Sequence, residues 1–138
     1  MRKRIGFALA CLSLTMTAAS AAAAIPGPQR AVWPELFGAR QIAPGLYSDS
    51  ADTDAMLALK RQTDATVRGF FGEQRATPRV ILCSAEPCHR AFGNGPRGLT
   101  YASHLVLIAP RGINATILSH ELVHAELHRF MGVGDIVD

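Results

Sequence analysis

The sequence predicts a small α+β domain, in which a short sheet carries one amphipathic helix and a second helix at the C-terminal end. Three observations predict this fold. Apolar residues recur at helical spacing between residues 53 and 70. Two apolar, β-branched stretches follow, at 79–83 and 99–109. A further helix-forming stretch spans 115–131, with Asn114 before it and Gly132 after it. A chain of 138 residues has room for one domain at most.

The N-terminal stretch is set apart from that domain. Arg2, Lys3 and Arg4 precede an apolar run from Ile5 to about Ala18. Small residues follow at Ser20-Ala21-Ala22-Ala23-Ala24, and Ile25-Pro26-Gly27-Pro28 would break any helix. This is the three-part layout of a secretory signal, with cleavage expected after residue 24. An uncleaved anchor would need ~20 apolar residues, more than this run provides. Ala8-Leu9-Ala10-Cys11 loosely resembles a lipobox, but the chain stays apolar after Cys11, where a lipoprotein has a polar tether. The expected location is therefore periplasmic or secreted, with no stable membrane insertion after cleavage.

Residues 25–51 contain Pro26, Pro28, Pro34 and Pro44 and read as an irregular N-terminal arm with room for one short strand. The domain proper is expected over 52–138. Asp52 and Asp54 offer helix N-caps. Met56, Leu59, Thr63, Val67 and Phe70 form one apolar face, and Gly72 suits the helix stop. Arg79 to Cys83 reads as a buried strand after Pro78. Pro87 to Phe92 makes a helical turn or two, ended by Gly93. Residues 93–98 form a loop by composition. Leu99 to Ala109 reads as one extended segment, strongest from His104 to Ala109. Pro110-Arg111-Gly112 turns the chain, and Asn114 caps a helix from about Ala115 to Met131.

Charge and cysteine usage narrow the function. Arg2, Lys3 and Arg4 account for the whole formal excess of +3. Beyond residue 24 the charges balance, so nucleic acid is not an expected partner. Cys83 and Cys88 remain after the signal is removed. An even pair in an oxidising compartment reads as a disulfide. The alternative, a Cys88-His89 nucleophilic pair, suffers because adjacent side chains seldom reach nucleophile–base geometry.

The chemistry lies in His120-Glu121-Leu122-Val123-His124. Histidines four apart on a helix share one face, one turn apart. Both can then reach one Zn²⁺. Glu121 adjoins the first ligand and is placed to act as general base toward a zinc-activated water. An accidental HExxH occurs in roughly a few per thousand chains of this length. Its setting, inside a helix-forming segment behind an apolar strand, makes accident rarer. His128 lies eight residues from His120, about 12 Å along the helix axis, too far for both to share an ion. It reads as a residue behind the ligands or as a cation at the helix end. Glu126 points away from the histidine face and is expected in solvent. Phe130 stands where an HExxHxxGxxH pattern has its third histidine, which excludes that pattern. Asn114-Ala115-Thr116 matches a glycosylation sequon, although capping alone explains Asn114.

From Pro78 onward the chain resembles a family of exported bacterial proteins related to the gluzincin metallopeptidases, which are zincins of the HExxH type. The resemblance rests on the strand ending at Cys83, Cys-Ser-Ala-Glu-Pro-Cys-His-Arg-Ala-Phe-Gly (83–93), Tyr101 to Ala109, Pro110-Arg111-Gly112 and Ser-His-Glu-Leu-Val-His-Ala-Glu-Leu-His (119–128). It implies a zincin-like fold and a zinc peptidase acting on a peptide or protein substrate. His120 and His124 would be ligands and Glu121 the base. It also implies that His104 to Ala109 is an edge strand binding extended peptide by β-augmentation. The backbone near Tyr101-Ala102-Ser103 would line the cleft, and His104 or Tyr101 would face the metal or simply pack in the sheet. Gluzincins take a third ligand from a glutamate on a later helix. This sequence has 14 residues beyond His124, among them Asp135 and Asp138. A partial metallopeptidase domain, cut from a longer protein, is the expectation that follows. The alternative function is a non-catalytic exported zinc-binding or interaction domain.

Overall fold

The computed structural model describes residues 27–132. The signal segment 1–24, with Asp135 and Asp138, lies outside the described residues. The α+β expectation holds. Five strands are present: β1 (Arg40–Ala43), β2 (Leu46–Ser48), β3 (Arg79–Leu82), β4 (Gly98–Tyr101) and β5 (Leu105–Ile108). They lie in the order β1-β2-β3-β5-β4. β2, β3 and β5 run parallel, while β1 and β4 are antiparallel edges. Three helices accompany them: α1 (Thr53–Phe71), α2 (Glu86–Ala91) and α3 (Ala115–Phe130).

The inner strands are mostly apolar because both sheet faces are covered, with Arg79 and Ser48 at strand ends the exceptions. Side chains alternate across a strand, so neighbours in sequence enter different cores. Val80, Leu82, Val106 and Ile108 meet α1 and α3 through Met56, Val67, Leu118, Leu122 and Ala125. On the other face, Ile81, Cys83 and Leu107 pack with Tyr47, Cys88 and Phe92. The structure joins Cys83 to Cys88 by a disulfide, with Cα atoms 5.4 Å apart. That bond commits the Cys88 sulfur and removes the Cys88-His89 nucleophile.

Both long helices begin where their caps stand. The Asp52 side chain accepts from the Ala55 N–H, and the Asn114 side chain from that of Ile117. Gly72 and Gly132 end them with positive φ.

Five expectations need correction. The N-terminal arm is more regular than its prolines imply. Two 3-10 turns, Gly27–Val32 and Pro34–Phe37, lead into a β1–β2 hairpin. Pro44-Gly45 supplies its tight turn, with Gly45 at φ 71°. The 99–109 stretch is not one strand: it folds into the β4–β5 hairpin, whose turn holds Ala102 at φ 48°. β5 is consequently an interior strand, and β4 is the edge. Phe70 is 85 % exposed and stacks on Phe71, because the last turn of α1 has run past the core. Phe130, at the end of α3, is exposed as well.

The fifth correction concerns Glu126, which is only 5 % exposed. Its carboxylate accepts the backbone N–H groups of Arg75 and Ala76 at 3.0–3.2 Å, holding the connection that leads from α1 into β3. A buried carboxylate is tolerated when such donors replace water. Glu126→Ala leaves those amides without an acceptor, and a loss of ~1–3 kcal/mol is expected. Urea denaturation should show this as a lower midpoint with an unchanged slope.

Candidate metal centre

Core packing of α3 decides which way the motif faces. Leu118, Leu122 and Ala125 are buried against the sheet and α1. His120 and His124 consequently fall on the exposed side. Their Nε2 atoms approach to 3.0 Å, with the rings at 81°. Two nitrogen ligands at about 2.0–2.1 Å from a tetrahedral ion lie roughly 3.3 Å apart. The observed distance is a hydrogen-bond contact between the rings and shorter than that spacing, and it brings both nitrogens to the same exposed side of α3.

Glu121 is held differently. It is 8 % exposed and turned toward the edge strand β4. Thr100 Oγ1 lies 2.6 Å from Glu121 Oε2 and 3.0 Å from the Glu121 carbonyl oxygen. Gly98 shares that face of β4, two residues away. A Cβ at Gly98 would stand 2.6 Å from Glu121 Oε1 and 2.7 Å from its Cγ, so a larger residue there would make the glutamate side chain shift. Sequence reasoning missed both residues. In the sequence Thr100 falls in a stretch that reads as one continuous strand and Gly98 in one that reads as a loop.

The Pro110-Arg111-Gly112 turn sets α3 against this strand. A Cβ at Gly112 would collide with the Arg97 carbonyl oxygen, and that oxygen also accepts the Ala109 N–H at 2.9 Å. The residue before β4 is thereby tied to the turn before α3.

The other candidate residues are not brought to the histidine pair. His104 lies in the β4–β5 turn and lines a hollow with Arg129, at the C-terminal end of α3. Tyr101 is partly exposed at the end of β4. His128 is half-buried, with a buried Nδ1 that has no hydrogen-bond partner. Among the described residues, no group of three or more His, Cys, Asp or Glu is placed to hold a metal. A hollow of about 220 Å³ is lined by Phe71, Glu73, Arg75, Glu126 and Phe130, and not by His120, Glu121 or His124.

No family model, curated protein or solved structure matches this chain. Among the described residues, no helix is long and apolar enough to cross a membrane.

Proposed function

We propose that this protein is an exported zinc-dependent peptidase of zincin-like design. The observation that carries the proposal is the convergence of His120 and His124 Nε2 at 3.0 Å, one turn apart on the helix that also presents Glu121. Zinc, when bound, supplies Lewis-acid activation of the attacking water and of the scissile carbonyl. The chain's own residues do the rest. His120 and His124 would hold the ion from the open side of α3. Glu121 takes a proton from the attacking water and returns it to the leaving amine. The outer edge of β4 is available to an extended peptide, which would add to the sheet as a sixth strand. β4 thus takes the substrate-binding role that the sequence suggested for His104 to Ala109. The disulfide is compatible with an oxidising compartment.

The purified protein is expected to retain zinc at neutral pH, and His120→Ala or His124→Ala to lose it, by elemental analysis after gel filtration. Wild-type protein free of zinc under these conditions would remove the proposal. Weak zinc binding without hydrolysis would favour the non-catalytic zinc-binding domain. That reading draws on the His120–His124 pair, with no third such residue grouped with it among the described residues.

A further inference from the structure

We infer that Thr100 is a positioning residue for Glu121, holding one carboxylate oxygen so that the other is left to carry the proton. The catalytic consequence rests on the peptidase reading above; the positioning itself does not. Two independent contacts define the arrangement. Thr100 Oγ1 stands 2.6 Å from Oε2, within the range of a charge-assisted O–H···O⁻ bond. The 3.0 Å approach to the Glu121 carbonyl is longer, and a hydroxyl has one proton to give, so the carboxylate is the favoured acceptor. Gly98 then leaves room for Oε1, which lies 2.6 Å from where a Cβ would stand. The edge strand therefore binds one oxygen and makes room for the second. A glutamate on a helix surface ordinarily samples several rotamers. Here the side chain is confined before any substrate arrives, which is the condition under which general-base catalysis gains from orientation.

A purely structural role would have Thr100 do no more than tie β4 to α3. The two roles separate in Thr100→Val, which keeps shape and strand preference but removes the hydroxyl, and in Thr100→Ser, which restores it. Thr100→Ala makes the same deletion should the valine variant not fold. In the metal-free protein at fixed neutral pH, the ¹³C resonance of the Glu121 carboxyl is expected to move in Thr100→Val and to stay near its wild-type position in Thr100→Ser. With zinc, Thr100→Val is expected to lower kcat ~10-fold while KM and zinc affinity hold, and Thr100→Ser to stay within about twofold of wild type. An unmoved Glu121 resonance in Thr100→Val would overturn the inference, as would equal losses of kcat in the valine and serine variants. If wild-type protein hydrolyses no peptide, the peptidase reading fails, and the carboxyl resonance still decides whether Thr100 positions Glu121.

Discussion

Glu121→Gln is expected to lower peptide hydrolysis by ~100- to 10,000-fold while zinc binding stays at the wild-type level. Glutamine matches glutamate in size and keeps an oxygen that can accept from the Thr100 hydroxyl, so the contact between β4 and α3 survives. What disappears is the ability to take a proton. The histidines converge on the exposed side of α3 while Glu121 is buried against β4, so the substitution is expected to leave His120 and His124 in place. Steady-state hydrolysis of a quenched peptide, paired with zinc titration of the same sample, makes the test. Unchanged hydrolysis would assign the base to another residue, and loss of zinc would make Glu121 part of the metal site.

Leu118→Ala is expected to cost ~2–5 kcal/mol, the range for emptying a fully buried leucine site. Leu118 is wholly buried, in the cluster that joins α3 to Val80, Leu82, Val106 and Ile108. For a domain whose total stability is of order 5–15 kcal/mol, that is a large fraction. Thermal unfolding should show a clear drop in Tm. Zinc affinity of the molecules that remain folded should be nearly preserved, because Leu118 faces the sheet and the histidines face solvent. A shift within the error of the measurement would mean that α3 is not anchored at this point.

The parts of the fold that were legible in the sequence are those whose signal is local. α1 and α3 announce themselves through spacing, through Asp52 and Asn114 at their starts, and through Gly72 and Gly132 at their ends. β3 is a short apolar run behind a proline. The β4–β5 hairpin was not legible because its turn, Ala102-Ser103-His104, contains no Gly, Pro or Asn, and Ala102 adopts a positive φ that alanine seldom takes. The β1–β2 hairpin did carry a signal in Pro44-Gly45, but strands of four and three residues are too short to show periodicity. At the candidate site, the proposed ligands and base come from one pentapeptide, so their spacing is visible in the sequence itself. Thr100 lies 21 residues from Glu121, and Arg75 lies 51 from Glu126. Pairings across such distances depend on how the sheet is ordered, and helix periodicity alone sent Glu126 to solvent.

That division follows from a feature of α3 with a mechanical meaning. His120, Glu121 and His124 ride on one continuous helix, so their mutual geometry follows the helical repeat and moves as a rigid body. The relation of that body to β4 is set where Gly98 and Thr100 engage Glu121 and where Gly112 is pressed against Arg97. A ligand that grips β4 and the histidines together would stiffen that relation, and slower hydrogen exchange of the β4 amides would report the clamp.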